Sequence, residues 1–187
     1  NKTEMTTPEN EFSVSPFVET DQTLFVERTI ISYLKRNCPL FYPMLDIGRE
    51  SPLTLRIRKE LSLKVDNTDG DLDVMTLADY GWYKYILYSH TIEHQFNPLH
   101  TLLELKKHVM RQDSKLFIIL PNKPKFLWWS GHYHEIDNYR MRMLIKRAGL
   151  KIAGYERHRA WRNWKFYLTG VRPFLRLFCE WNDYYKI

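Results

Sequence analysis

The sequence is poor in the features that mark several common classes of protein. Cys38 and Cys179 are the only cysteines in 187 residues, so a disulfide framework is excluded and a reducing, cytoplasmic location is expected. No apolar run is long enough to span a membrane, and no signal-peptide pattern opens the chain. Walker, C-x-x-C and G-x-S-x-G motifs are also missing. With 44% hydrophobic residues, the chain is expected to be globular with one substantial core.

The charge is spread unevenly along the chain. The net charge is +6, but residues 1–50 hold five basic and eight acidic residues, whereas residues 151–187 hold eight and three. The basic end is also rich in aromatic residues, a combination that can bind nucleic acid. Since no RNA-binding or DNA-binding motif accompanies it, a half-buried sheet edge with a solvated basic face is favoured, and a nucleic-acid partner is not expected.

The domain organisation predicted from the sequence is simple. Residues 1–20 are polar and contain two prolines, which indicates a loose lead-in before a single domain over residues 21–187. The chain begins with Asn1 rather than Met, so we expect it to be one domain of a larger polypeptide.

Helical patterns alternate with continuous apolar runs inside this domain. Helices are predicted to begin near Asp21, Ser51, Pro98 and Asp137. Strands are predicted at FYPMLDIG, SLKVDN, YKYILYS, KLFIILP, LKIAGYERH and WKFYLTG. Because the apolar runs are continuous, they predict a parallel sheet covered by helices on both faces, the doubly wound α/β class. Ligands bind such sheets beyond the carboxyl ends of the strands.

Residues 89–94 read SHTIEH and contain the H-x-x-E-H pattern of some zinc proteases. Such a site needs both histidines one turn apart on a long helix. Here a predicted strand precedes the pattern and Pro98 soon follows it, so zinc binding by His90 and His94 is not expected. Glu93 and His94 are interpreted as structural residues that hydrogen-bond neighbouring loops.

The surrounding stretch carries a more extensive resemblance. YILYSHTIEHQFNPLHTLLELKKHVMRQDSKLFIILPN resembles the fourth strand, following helix and fifth strand of class I S-adenosylmethionine-dependent methyltransferases, in their small-molecule branch. MLDIG resembles the first motif of that family, VDN the end of its second strand, and HYHEID with AGLKIAGYERH its late helix and sixth strand. The resemblance covers residues 24–170 and implies a Rossmann-like methyltransferase fold with a mostly parallel, seven-stranded sheet.

One motif departs from the family pattern. The first loop is usually Asp-x-Gly-x-Gly-x-Gly, but here it runs from Asp46 to Pro52 and keeps only Gly48. Glycines in this loop let the backbone bend tightly and approach the cofactor. Glu50 is expected to bring bulk and negative charge to the path of the methionine portion.

The resemblance implies S-adenosylmethionine as cofactor and assigns its contacts. Asp46 and Gly48 are implied to contact the methionine end, and Asp66 the ribose. Asp71 or Leu72 is implied to lie near the adenine, and Ser89 and His90 near the sulfonium. A carboxylate suits the ribose because its two oxygens match two hydroxyl groups. The alternative for Asp66 is ordinary turn chemistry in the run D-N-T-D-G.

Residues 125–137, KFLWWSGHYHEID, lie where this family commonly forms its acceptor pocket. Flat aromatic faces suit a sugar ring or an aromatic acceptor, so the predicted substrate-binding residues are Trp128, Trp129 and Tyr133. Packing by the same aromatic residues is the alternative interpretation.

A histidine near neutral pH can take a hydroxyl proton, and the predicted catalytic residues are His132, His134 and Asp137. A divalent metal on His132, His134 and Glu135 is an alternative, but side chains at i and i+2 of a strand are not on one face. No metal ligand is therefore predicted.

The resemblance and the residues that depart from it lead to three candidate functions. The first is an O-methyltransferase acting on a small polar acceptor, with a sugar or glycan hydroxyl favoured. The second is a methyltransferase-like binding or scaffold module without catalysis, motivated by Glu50. The third is an RNA-directed methyltransferase, motivated by the basic aromatic end. Against the third, Ser89-His90-Thr91-Ile92 stands where base-amine methyltransferases of this fold usually carry an Asn/Asp-Pro-Pro-aromatic motif.

Overall fold

A computed structural model describes residues 21–38, 42–124, 127 and 132–187 of the chain. Within these residues the helices are α1 (Asp21–Asn37), α2 (Pro52–Leu61), α3 (Pro98–Glu104), α4 (Asn138–Arg147), α5 (Trp164–Tyr167) and α6 (Val171–Cys179). The strands are β1 (Met44–Asp46), β2 (Val65–Asn67), β3 (Tyr85–Ser89), β4 (Lys115–Asn122), β5 (Gly154–Arg159) and β6 (Trp181–Lys186). The predicted lead-in over residues 1–20 lies outside the described residues.

Shorter elements connect the main ones. Single 3₁₀ turns occur at Ala78–Tyr80 and Ile92–His94, and a π-helical segment, Leu105–Val109, extends α3. None of the helices in the described ranges is long and apolar enough to cross a membrane.

The described strands form one sheet in the order β2-β1-β3-β4-β6-β5. β1 pairs in parallel with β2 and β3, and β3 pairs in parallel with β4. β6 runs antiparallel to both β4 and β5. The α/β class is thus confirmed, but the described residues contribute six strands rather than the expected seven, and β6 makes the sheet mixed.

Alternate residues of β3 and β4 enter separate cores on the two faces of the sheet. One core joins α3 and α4 to strand residues that include Ile86, Tyr88, Leu116 and Ile118. The other joins α1 and α2 to residues that include Tyr85, Leu87, Phe117 and Ile119. Burial on both faces explains why these strands read as continuous apolar runs, and confirms the prediction of helices on both faces.

Three of the predicted helix starts, those of α2, α3 and α4, are confirmed by their capping bonds. Ser51 forms a capping box with Thr54 at the start of α2, and Pro52 occupies the first turn. Asn97 caps α3, which also begins with a proline, and Asp137 caps α4. These caps fix where each helix begins relative to the strand ends.

The last strand is not where the sequence predicted it. WKFYLTG was predicted as a strand, but it contains α5, whose first turn is capped by Asn163. The strand is instead WNDYYK, β6, whose Asn182 and Asp183 are residue types that strands disfavour. Asp183 is buried and accepts hydrogen bonds from Arg157 at 2.6 Å and Tyr155 at 2.9 Å. These partners lie across the sheet on β5, so the local sequence does not reveal them.

Candidate active site

A cavity of about 540 Å³ opens at the carboxyl ends of the central strands. Asp46 and Gly48 line it at the end of β1, Ser89 and His90 at the end of β3, and Lys123 after β4. One side of α1 and the first residues of α2 complete the lining. The cavity therefore lies where α/β sheets bind their ligands, as the strand pattern predicted.

Asp46 ends β1 and is held in a buried polar network. Its Oδ2 accepts hydrogen bonds from the Thr54 hydroxyl at 2.7 Å and from the Asn67 amide at 3.5 Å. Burial raises the pKa of Asp46 to about 7, although the bonds from Thr54 and Asn67 and the nearby Arg58 act in the opposite direction. A carboxyl group at the cavity wall thus changes its charge near neutral pH.

Gly48, the one glycine of the first loop, has a backbone conformation that favours glycine. Its φ is +121°, and its N–H donates to Thr68 Oγ1 at 2.7 Å. A Cβ at this position would lie 3.3 Å from Thr91 Oγ1. The Glu50 carboxylate is half exposed and pairs with Arg58. Among the described residues, Glu50 does not line the cavity.

The turn after β3 carries two buried polar atoms that point to a ligand. His90 adopts a left-handed backbone with φ +52°, and its N–H donates to Ile119 O at 2.9 Å. Ser89 Oγ and His90 Nε2 are buried and have no hydrogen-bond partner among the described residues. Buried polar groups are nearly always paired, so unpaired ones beside a cavity suggest a missing partner.

Glu93 follows in the 3₁₀ turn and is 2% exposed. Its backbone oxygen accepts hydrogen bonds from the N–H groups of Tyr133 at 3.0 Å and His134 at 3.1 Å. Glu93 therefore ties this turn to the loop before α4 through its backbone, and the role predicted for its side chain stays a prediction. Burial disfavours the charged form of Glu93, but the adjacent His90, its own backbone and His94 outweigh burial, so the pKa of Glu93 lies below its ordinary value.

The loop before α4 brings His132, but not His134, to the cavity. His132 Nδ1 lies 2.8 Å from Glu135 Oε1, and the two side chains are only 7% and 6% exposed. The His134 ring is exposed, and its Nε2 lies 3.2 Å from Phe96 O. Of the two histidines predicted as catalytic, His132 is the one that can meet a ligand in this cavity.

The other residues predicted for the acceptor side are placed differently. Asp137 accepts a hydrogen bond from Arg140 N at 2.8 Å as the cap of α4 and lines a separate cavity of about 250 Å³. Tyr133 is exposed and stacks on Phe96 with ring centroids 3.9 Å apart. Trp128 and Trp129 lie outside the described residues.

Three predicted cofactor contacts are not brought to the larger cavity. Asp66 accepts a hydrogen bond from the Tyr83 hydroxyl at 2.8 Å. Asp71 accepts one from the backbone N–H two residues further on, and Leu72 packs against the apolar core. Among the described residues, none of the three lines the larger cavity. The residues predicted to contact the methionine and sulfonium parts of the cofactor therefore line one cavity. The residues predicted to contact the ribose and adenine lie outside its lining.

The separation of Asp66 follows from strand register. β1 and β2 pair Leu45 with Asp66, and Asp46 with Asn67. Neighbouring side chains of a strand point to opposite faces, so Asn67, not Asp66, reaches the Asp46 network. The Asn67 amide also donates to Gly48 O at 3.2 Å. Asp66 and Asn67 are adjacent in the sequence, so spacing along the chain could not show which of them faces Asp46.

Sequence reasoning also missed the contribution of α1. Thr23, Val26, Glu27 and Ile30 line the cavity, and Glu27 is buried in an ion pair with Arg56 at 2.7 Å. The apolar spacing of this helix indicated a core face, which it has as well. No sequence signal distinguished the core-facing part of α1 from the part that borders the cavity.

Comparisons with solved structures give clear similarities in fold. An S-adenosylmethionine-dependent methyltransferase from Archaeoglobus fulgidus is 13% identical with a TM-score of 0.54, covering 86% of this chain and 94% of that one. 1,6-Didemethyltoxoflavin-N1-methyltransferase from Burkholderia thailandensis, with bound 1,6-didemethyltoxoflavin and S-adenosylhomocysteine, is 11% identical with a TM-score of 0.53, covering 92% of each chain. The [4+2]-cyclase SpnF is 11% identical with a TM-score of 0.58, covering 86% of this chain and 79% of that one.

The chain matches no family model, and no curated protein matches it by sequence. At identities of 11–13% the structural similarities establish the fold alone. The protein thus has the Rossmann-like fold of S-adenosylmethionine-dependent methyltransferases, with a cavity at the carboxyl ends of the strands.

Proposed function

We propose that the protein is an S-adenosylmethionine-dependent O-methyltransferase that acts on a small polar acceptor, with a sugar or glycan hydroxyl favoured. One observation carries the proposal. The residues predicted for the methionine and sulfonium ends of the cofactor line the same cavity as His132, which is paired with Glu135. A donor and an acceptor of a methyl group would therefore meet in one space.

The cofactor side of the proposal rests on Asp46, Gly48, Ser89 and His90. Glu50 pairs with Arg58 and is not among the described residues that line the cavity, so its charge is not expected to oppose cofactor binding. S-adenosylmethionine carries a positive sulfonium, and a buried carboxyl group such as Asp46 favours a nearby cation once it is ionised. The Burkholderia thailandensis structure, which contains S-adenosylhomocysteine in the same fold, supports the choice of cofactor.

The reaction itself is a displacement at carbon. An oxygen of the acceptor attacks the methyl carbon, the sulfur–carbon bond breaks, and its electron pair remains on sulfur to give S-adenosylhomocysteine. The acceptor hydroxyl must also lose its proton, and the His132 imidazole, oriented by Glu135 at 2.8 Å, can accept it. The remaining work of the protein is to align the two reactants.

The acceptor side favours a flat, polar molecule. Tyr133 follows His132 directly and presents an exposed ring stacked on Phe96. A sugar ring can lie on such an aromatic face while its hydroxyl groups reach polar side chains. Tyr133 is not among the described residues that line the larger cavity, so this arrangement favours a sugar or glycan that extends from the cavity onto the Tyr133 ring.

Transfer from radiolabelled S-adenosylmethionine to a panel of deoxysugars, glycans and phenols tests the proposal. We expect His132→Ala to lower turnover by about 10²- to 10⁴-fold, the usual loss for a missing proton acceptor. His134→Ala is the matched control, since its exposed ring lies on the same loop but outside the cavity, and it should keep nearly full activity. Equal losses in both variants, or no loss in either, would contradict the assignment of His132.

A binding module without catalysis is the second candidate. Asp66, the residue expected to hold the ribose, is bonded to Tyr83 and does not line the cavity. One protein of similar fold, SpnF, is named for a different activity, that of a [4+2]-cyclase. Binding of S-adenosylhomocysteine with no transfer to any acceptor of the panel would favour this candidate.

A further inference from the structure

Three potential metal ligands converge from two separate segments at the cavity. Glu93 and His94 belong to the 3₁₀ turn after β3, and His132 belongs to the loop before α4. One ligand atom from each of the three lies within 4.8 Å of the other two. The rings of His94 and His132 meet edge to face with centroids 4.9 Å apart. We call Glu93, His94 and His132 the donor triad.

A second observation points to a bound cation. Glu93 is 2% exposed, and its Oε2 is buried without a hydrogen-bond partner among the described residues. Its other oxygen, Oε1, lies 3.5 Å from His90 Nδ1. A buried carboxylate with an unpaired oxygen is costly, and a metal ion is one of the few partners that can satisfy it.

The surroundings of the donor triad resemble those of a prepared site. Glu135 holds the His132 ring, with Nδ1 and Oε1 2.8 Å apart. Metal-binding histidines are commonly oriented by a carboxylate on their second nitrogen. The backbone bonds from Tyr133 and His134 to Glu93 O hold the two segments together without any metal. These two bonds keep the 3₁₀ turn beside the loop that carries His132.

We propose that Glu93, His94 and His132 bind one divalent transition-metal ion at the wall of the cavity. Two imidazoles and one carboxylate suit zinc, iron or a similar ion better than magnesium or calcium, which prefer oxygen ligands. Each ligand atom needs to lie about 2.1 Å from a zinc ion, so the side chains turn slightly inward on binding. Three protein ligands leave at least one coordination position for water or an acceptor.

A role for this ion in catalysis rests on the proposed function. His94 and His132 both line the cavity, so the open position faces the space where the acceptor would bind. A metal-bound hydroxyl is more acidic and releases its proton to water, and its oxygen is held for attack on the methyl group. His132 then acts as a ligand in the metal-bound protein, whereas it accepts the proton directly in the metal-free protein.

Direct metal titration tests the site without any need for activity. Untagged protein stripped with a chelator is titrated with Zn²⁺ by calorimetry and with Co²⁺ by visible absorbance. We expect one ion per chain, and at least about 10- to 100-fold weaker binding in His94→Ala, His132→Ala and Glu93→Gln. Glu135→Gln, which keeps the ligands but alters the support of His132, should weaken binding less than loss of a ligand.

His108→Ala is the matched control, because His108 lies in the π-helical segment and contacts Glu104 at 3.7 Å rather than the donor triad. It should bind metal as the wild type does. Circular dichroism checks the fold of each variant, and His94→Ala keeps the test valid if the buried Glu93 cannot be replaced, since His94 is exposed.

The possible results separate this site from the proposed function. No binding by the wild type, or equal binding by all variants, overturns the metal site and leaves methyl transfer intact. One ion per chain without any methyl transfer supports the site and removes its proposed role. Chelation that abolishes transfer, with recovery on adding Zn²⁺, supports both.

Discussion

At Asp46, burial favours the protonated carboxyl group, whereas binding of a positively charged cofactor would favour the ionised one. The carboxyl end of β1 and the start of α2 enclose it, and its Oδ2 is held by Thr54 and Asn67. Burial favours the protonated form, and the pKa of Asp46 accordingly rises from 3.8 to about 7. A cation bound beside Asp46 would favour its ionised form and lower its pKa.

The raised pKa predicts that Asp46 costs stability as pH rises. Below about pH 4 it is protonated in both folded and unfolded chains; between about pH 4 and 7 only the unfolded chain ionises, so the free energy of unfolding falls. Above about pH 7 the loss is complete, on the order of 4 kcal/mol. Asp46→Asn should remove this slope. Urea denaturation of both proteins from pH 4 to 8 measures the difference, and parallel curves would contradict the raised pKa.

At the scale of elements, α4 illustrates how one residue can be given two roles. Asp137 was predicted both to cap α4 and to act in catalysis. Its Oδ1 accepts a hydrogen bond from Arg140 N at 2.8 Å, which confirms the cap, while His132 is the loop residue that reaches the larger cavity. A side chain whose oxygen is used at a helix start is poorly placed to take a proton from a ligand elsewhere.

This geometry predicts a purely structural effect of changing Asp137. Asp137→Ala should lower the free energy of unfolding by about 1 kcal/mol, the usual cost of a lost cap, and Asp137→Asn should lower it much less. Neither variant should change the affinity for S-adenosylhomocysteine or the rate of methyl transfer by more than a small factor. Chemical denaturation and the transfer assay give the two readings. A loss of turnover of about 100-fold in Asp137→Asn would restore the catalytic role.

At the scale of the whole molecule, several basic residues of the C-terminal region form ion pairs with buried acidic residues next to or within β6. Arg162, Arg176 and Lys123 lie 3.3 to 3.5 Å from the buried carboxylate of Glu180. Arg157 pairs with Asp183 on the neighbouring strand at 2.6 Å. Three of the eight basic residues in residues 151–187 are thus paired with buried acids, and their charge is in part used within the fold.

Cofactor binding is expected to stabilise the whole domain. S-adenosylhomocysteine at about 100 times its Kd should add about 2.7 kcal/mol to the free energy of unfolding. For a chain of this size, the melting temperature should rise by roughly 5–10 °C. Thermal denaturation with millimolar S-adenosylhomocysteine measures the rise, with adenosine and methionine tested separately as controls. No rise, together with no heat on calorimetric titration, would contradict cofactor binding by this fold.

The sequence by itself determined the α/β class, the starts of α2, α3 and α4, and the burial of β3 and β4 on both faces. Periodicity and capping are local properties, so they can be read along the chain. The sequence also placed Asp46, Gly48, Ser89 and His90 at strand ends, and these residues do line one cavity.

Only the tertiary structure decided which side chains face that cavity. It separated His132 from His134, assigned Asn67 rather than Asp66 to the Asp46 network, and moved the last strand to residues 181–186. It also brought His132 beside Glu93 and His94. Each of these outcomes depends on strand register or on contacts between segments far apart in the chain. A one-residue shift turns a side chain to the opposite face, and spacing along the chain does not reveal that shift.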